Sequence, residues 1–223
     1  MNWTTEQLTG QTEEHLVNLD GRLLHRDIER DFLNMQAAAK AAGFDLTIAS
    51  SFRDFNRQQL IWDNKFNGTR PVLDDNGKAV NLAVLSDEDK VKAILRWSAL
   101  PGGSRHHWGT DMDVYAANLL PKDTQLLLEP WEYLSGHQTP FYQWLEKNMA
   151  QFGFYLPYRE DRGGVAFEPW HISHQATAAD FLNALTQERL KMTIASSDIA
   201  GRETVLTMLD WIYSQYVSNV CEA

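Results

Sequence analysis

Two histidines and two aspartates fall within His106-His107-Trp108-Gly109-Thr110-Asp111-Met112-Asp113, just after the chain-breaking Pro101-Gly102-Gly103. Imidazole and carboxylate together suit zinc, whose catalytic sites take three protein ligands and leave a fourth position open. Further along, Phe167-Glu168-Pro169-Trp170-His171 brings another carboxylate and imidazole together, so that a third ligand and a base are available. A carboxylate beside a metal but not on it can take a proton from water that the ion acidifies, and later pass it to a leaving amine. In a regular strand Glu168 and His171 would point to opposite faces, and Pro169 removes a ladder donor. A bend is therefore expected here, turning both side chains to one cavity with Trp170 packed behind them.

These clusters must be positioned by the elements around them. Leu24, Ile28, Phe32, Met35, Ala39 and Ala42 recur at helical spacing, which predicts a helix over 24–42 closed by Gly43. Phe44 to Ala49 alternates as a short strand, and Asp54 can cap a helix in which Phe55, Gln59, Trp62 and Phe66 share a face. Arg53 then sits at a strand-to-helix junction. Residues 67–85 read as a loop or small hairpin around Asn76-Gly77. Ser86 with Asp89 opens a helix through Trp97, and Thr139-Pro140 opens another that ends at Gly153. Two strands around a loop are expected between 154 and 173. Two helices should follow His174, the first capped by Thr177 with Asp180, the second striped by Val205, Met208, Leu209, Ile212 and Tyr216. Helices mixed with short strand units favour an α+β fold over a doubly wound parallel sheet.

Composition narrows the partners. The 223 residues carry 30 acidic against 20 basic side chains, a formal charge of −10, which disfavours nucleic acid and anionic membrane surfaces. The lone Cys221 rules out an internal disulfide and any cysteine-built zinc knuckle, so a zinc ion would have to use His and carboxylate. MNWTTEQLTG lacks the basic and apolar regions of a signal peptide, and no stretch approaches the length of a membrane span. As written, the chain is expected to stay in the cytoplasm, with action at the cell envelope open to it by release or if the natural chain is longer than this sequence.

Three segments then fall into one pattern. Ser104 to Asp113 fits S-x-H-x-x-G-x-x-x-D, Glu168 to His171 fits E-x-W-H, and Ser50 to Gln58 fits S-x-x-R-x-x-x-x-Q. In these motifs the chain resembles the VanY-type D-alanyl-D-alanine carboxypeptidases, zinc peptidases that share a fold with lysostaphin-type enzymes and the hedgehog signalling domain. The likeness runs over residues 15–175. It implies a small central antiparallel sheet carrying a zinc site and flanked by helices. It also implies that His106, Asp113 and His171 bind Zn2+, that Glu168 is the general base and acid, and that Arg53 holds the substrate carboxylate or the developing oxyanion, with Gln58 and Ser104 in supporting polar contacts. A guanidinium fork suits a planar carboxylate. The pattern departs at Asp111, where the family carries a small residue. On a strand Asp111 shares a face with Asp113, so it is a rival ligand or an extra acid near the site.

The activity implied is removal of a terminal D-alanine from a peptidoglycan stem peptide or a small D-Ala-terminated peptide. Alternatives are an L,D-carboxypeptidase, an L-alanyl-D-glutamate endopeptidase, a cytoplasmic D-Ala-D-Ala dipeptidase and a non-catalytic zinc-containing binding module. Residues 1–175 read as the peptidase domain and 176–223 as a helical extension packed on it. His107 and His174 read as structural or solvent-facing, and His15, His25 and His137 as core or surface residues without a motif partner. Trp108, beside His106, is the one tryptophan expected to line the cleft.

Overall fold

The computed structural model describes residues 2–75 and 77–222. The chain opens with a single turn of helix, α1 (Thr5–Leu8), closed by a Thr4–Gln7 capping box. A hairpin follows, β1 (Leu16–Leu19) and β2 (Arg22–His25), in which Leu19 pairs with Arg22. Asp20 (φ 50°) and Gly21 (φ 83°) both take left-handed conformations, as the two-residue turn matching strand twist requires. This hairpin corrects the expected helix over 24–42. Leu24 lies in β2, and the helix proper, α2, is Glu29–Ala41, entered through a 3-10 turn at Arg26–Ile28. Leu24, Ile28, Phe32, Met35 and Ala39 are all buried as the spacing predicts, whereas Ala42 is exposed.

β3 (Leu46–Ser50) runs to the Arg53 junction, and Asp54 accepts a hydrogen bond from the Arg57 backbone at 2.6 Å to start α3 (Phe55–Phe66). The inward face of α3 is Phe55, Gln58 and Trp62. The 67–85 segment contains a tight bridge, Leu73 to Ala79, and Asn76 at its tip lies outside the described residues. Ser86 caps α4 (Asp87–Leu95), which stops two residues short of Trp97. A 3-10 turn at Arg105–Trp108 then leads through Gly109 into β4 (Asp111–Ala116). α5 (Pro130–Leu134) and α6 (Thr139–Asn148) follow, and Gly153 ends the latter's 3-10 extension before β5 (Phe154–Tyr155).

β6 (His171–His174) passes into α7 (Gln175–Ala184) without a loop. Thr177 therefore lies inside α7 rather than at its cap, and its hydroxyl meets Nδ1 of His174 at 3.0 Å. Beyond α7 come α8 (Gln187–Ser196), α9 (Arg202–Thr207) and α10 (Leu209–Ile212), the last running into a π turn over Tyr213–Val217. The segment after His174 is thus four helices, not two.

The central sheet is antiparallel in the order β3-β4-β6-β5, giving the α+β architecture expected from the sequence. One face, with Leu46, Ile48, Met112, Val114 and Ile172, packs on α2, α6 and Trp170. A second core gathers α1, α3, α4 and the four C-terminal helices around Trp62, Trp108 and Phe181. Indole Nε1 of Trp62 donates to the Ala200 carbonyl at 2.9 Å, tying α3 to the C-terminal helices. Among the described residues no helix is long and apolar enough to cross a membrane.

Candidate metal centre

Register places the polar residues. Across β4 and β6, Asp113 pairs with His171 and Asp111 with Ser173, so all four side chains stand on the sheet face opposite Met112 and Ile172. A bulge between Ile48 and Ser50 shifts β3 so that Ser50 pairs with Asp113. This shift delivers Ser51 and Arg53 to the same end of the sheet.

His106 arrives from the 3-10 turn. Gly109 (φ 69°) closes that turn against the first hairpin, and a Cβ there would come within 2.9 Å of the His25 backbone nitrogen. Nδ1 of His106 lies 2.9 Å from the Ser51 carbonyl. The carbonyl can only accept, so Nδ1 carries the proton and Nε2 is left with a free lone pair. Nε2 faces Asp113 Oδ2 at 3.6 Å, and His171 Nδ1 faces Asp113 Oδ1 at 3.4 Å. One ligand atom from each of His106, Asp113 and His171 lies within 4.8 Å of the others.

Glu168 stands just before β6. The His171 amide donates to the Glu168 carbonyl at 3.2 Å, a turn across Pro169-Trp170 that provides the expected bend. Glu168 Oε2 consequently reaches to 3.4 Å from His171 Nδ1, while Trp170 is buried in the core behind.

Asp111 is fully buried and touches the far side of His171, with Oδ1 3.0 Å from Nε2. The same carboxylate accepts from Arg105 Nε at 2.7 Å, Thr110 Oγ1 at 2.7 Å and Ser173 Oγ at 3.1 Å. Arg105, buried and stacked on the Trp108 ring, also donates to Ser173 Oγ at 2.7 Å. Sequence reasoning missed Arg105. The signal was a second aspartate on the site face of a strand, which needs a buried counter-charge.

The charge states follow from these neighbours. Burial pushes His106 down to about 3. Burial alone would lower His171 too, but hydrogen bonds to Asp111, Asp113 and Glu168 override it and raise its pKa well above the ordinary value. Burial favours neutral carboxyls at Asp111 and Asp113. Arg105 and His171 nonetheless hold Asp111 below the usual range, and His106, His171 and Arg53 do the same for Asp113. Glu168 is raised, chiefly by burial. With Arg105 neutralising Asp111, the imidazoles of His106 and His171 and the carboxylate of Asp113 form a donor set that fits a divalent zinc ion, whose charge would take the place of the proton these carboxylates hold on His171.

Arg53 is clamped. Its Nη1 donates to Gln58 Oε1 at 2.7 Å and its Nη2 to Ser50 Oγ at 3.2 Å, and its backbone amide donates to the His106 carbonyl at 3.1 Å. Gln58 has no exposed surface, and its amide nitrogen donates to the Ala99 carbonyl at 2.7 Å. Gln58 therefore reaches the site only through Arg53. Ser104 Oγ is buried without a hydrogen-bond partner among the described residues. His107 accepts from the Gly102 amide at 2.9 Å and donates to the Arg53 carbonyl at 2.6 Å, a structural tie. Trp108 is fully buried and donates to the Leu8 carbonyl at 3.0 Å, so it belongs to the core and not to the cleft.

Known proteins resemble this chain in sequence and in fold. The family described as VanY, D-alanyl-D-alanine carboxypeptidase, matches residues 21–177. An uncharacterized protein of Haemophilus influenzae is 51% identical over 105 residues, covering 45% of this chain and 72% of that protein. A D-alanyl-D-alanine carboxypeptidase of Enterococcus faecalis is 30% identical over 140 residues, covering 61% of this chain but only 42% of that longer protein. Among solved structures, VanYB in complex with D-alanine-D-alanine superposes with a TM-score of 0.53 at 23% identity, covering 82% of this chain and 89% of the other. A vancomycin-resistance D,D-pentapeptidase VanY variant in complex with Zn(II) gives 0.52 at 24% identity, covering 80% and 92%.

Proposed function

The chain belongs to the VanY family of D-alanyl-D-alanine carboxypeptidases, a family of peptidases, and from that premise we propose that it is a zinc-dependent D,D-carboxypeptidase acting on D-Ala-terminated peptides. The observation that carries this reading is the convergence of His106, Asp113 and His171 beside the carboxylate of Glu168. Those three residues would hold the zinc ion. When bound, zinc would lower the pKa of water and polarise the scissile carbonyl.

Glu168 is the group that moves the proton. Burial raises its pKa toward the working pH, so it can take a proton from the attacking water and return it to the leaving amine as the C–N bond breaks. Arg53, pre-oriented by Gln58 and Ser50, takes the free carboxylate of the terminal residue, and its fixed fork removes the need to order a flexible side chain on binding. Ser104 Oγ, buried and without a hydrogen-bond partner among the described residues, is a hydroxyl kept for the substrate backbone.

A fold relative solved with D-alanine-D-alanine supports the substrate class, and another solved with Zn(II) supports the metal. The test is a digest of defined stem peptides by the zinc-loaded protein, with products weighed by mass spectrometry. Loss of a single terminal D-alanine is expected. Cleavage only at an internal bond, or only after removal of the D,D-terminus, would replace this reading with an endopeptidase or an L,D-carboxypeptidase.

A further inference from the structure

Beside the metal centre, and sharing Ser50, Ser51 and Arg53 with it, the surface opens into a cleft of about 480 Å³. Its lining includes Arg22, Arg53, Arg57 and Arg70 and not one acidic residue, in a chain whose formal charge is −10. The four arginines come from separate places: β2, the junction after β3, the first turn of α3 and the loop after α3. Only the fold brings them together.

Like charges so placed repel: burial first disfavours the charge on Arg53, Asp113 and Glu168 support it, and Arg57 and Arg70 oppose it. Lys65, half-buried behind them, is lowered to about 8 by burial and by Arg70 and Arg53. The half-buried Arg96, by contrast, is paired with Asp75 and Asp161. Among the described residues the side chains of Arg22, Arg57 and Arg70 have no ion pair and no hydrogen bond. With three cations, Arg22, Arg57 and Arg70, left without a carboxylate partner among the described residues, the cleft recovers their mutual repulsion when an anion enters.

Resting on the carboxypeptidase reading, we propose that this cleft is a second anion subsite that selects substrates carrying carboxylates besides the terminal one, so that the preferred substrate is a polyacidic peptide. Arg53 takes the terminal carboxylate, while Arg22, Arg57 and Arg70 take a side-branch carboxylate of the same peptide. The planar, multiply donating guanidinium suits carboxylate over a point-like anion.

A matched pair of peptides tests this. Both are pentapeptides ending in D-Ala-D-Ala. One carries two free upstream carboxylates, on γ-linked D-glutamate and on diaminopimelate, and the other has both as carboxamides. Binding to the zinc-loaded protein is measured by calorimetry, and cleavage by mass spectrometry on the same samples. The carboxylate peptide should bind tighter by on the order of tenfold to a hundredfold. The Arg57→Gln/Arg70→Gln double variant should bring it down to the affinity of the amidated peptide. Equal affinities in the wild type, full discrimination retained by the double variant, or no measurable binding of either peptide would each overturn the subsite. Carboxylate-dependent binding without cleavage of either peptide would support the subsite and overturn the carboxypeptidase reading alone.

Discussion

Nε2 of His171 lies 3.0 Å from Oδ1 of Asp111, a carboxylate with no exposed surface that is itself fixed by Arg105 at 2.7 Å. The contact determines which imidazole nitrogen faces the proposed metal. With Nε2–H donating to Asp111, Nδ1 is the nitrogen turned to the space shared with Asp113 and Glu168, where a metal ion would displace its proton and take the lone pair. A carboxylate behind a ligating histidine fixes its tautomer and raises its basicity.

Asp111 is therefore predicted to act through His171 and not as a ligand. Asp111→Asn keeps the shape but weakens the acceptor, and zinc affinity should fall 10- to 100-fold in competition with a chromogenic chelator. Stoichiometry at saturating zinc should stay at one ion per chain. Unchanged affinity would remove Asp111 from the account.

Glu168→Gln removes the proton carrier while leaving the proposed ligand set whole. Turnover on a D-Ala-D-Ala peptide should drop on the order of 10²–10⁴, with zinc content by elemental analysis equal to wild type. Loss of both together would make Glu168 a ligand instead of a base.

The C-terminal helices are predicted to be part of the folded unit. Phe181 of α7 is fully buried, stacked on Trp3 with centroids 4.2 Å apart and facing Trp108 at 5.8 Å. Phe181→Ala should lower the unfolding free energy by about 3–5 kcal/mol, measured by urea titration. A loss under 1 kcal/mol would mean that the extension packs only loosely.

Acid should destabilise the fold through histidines outside the metal centre. Burial depresses His15 and His25 to about 4, against an ordinary value of 6.5. The folded state keeps them neutral where the unfolded chain binds a proton. Their stability contribution is thus intact above about pH 6.5 and declines as pH falls toward 4, by up to about 1.4 kcal/mol per pH unit for each. The drop in Tm between pH 7.5 and 5 should be shallower for His25→Gln than for wild type. Equal slopes would contradict the assignment.

Local signals in the sequence were enough for some elements and not for others. The caps at Asp54 and Ser86 and the helix ended by Gly153 depend on side chains within a few residues, so the sequence alone locates them. Leu24 and Ile28 are both buried, and their spacing suits a helix equally well as a strand followed by a turn. The discriminating signal was Asp20-Gly21, a hairpin pair whose β-partner is set by the turn. In the site, the residue types alone gave two histidines, two aspartates and the Glu168–His171 pair, and the resemblance to the VanY-type motifs is what picked out His106, Asp113, Glu168 and His171, which strand register and one bend bring together. The ties of Gln58 to Arg53 and of Arg105 to Asp111 were not legible. Each depends on which side chain occupies a buried space left by distant elements, and periodicity carries no such information.

The most direct measurement is an anomalous difference map collected at the zinc edge from crystals grown with zinc. The account predicts one strong peak per chain, bounded by Nε2 of His106, Nδ1 of His171 and the carboxylate of Asp113, with Glu168 beside it and Asp111 on the far side of the imidazole. A peak ligated by Asp111 or Glu168 in place of Asp113, or none at this position, would contradict it.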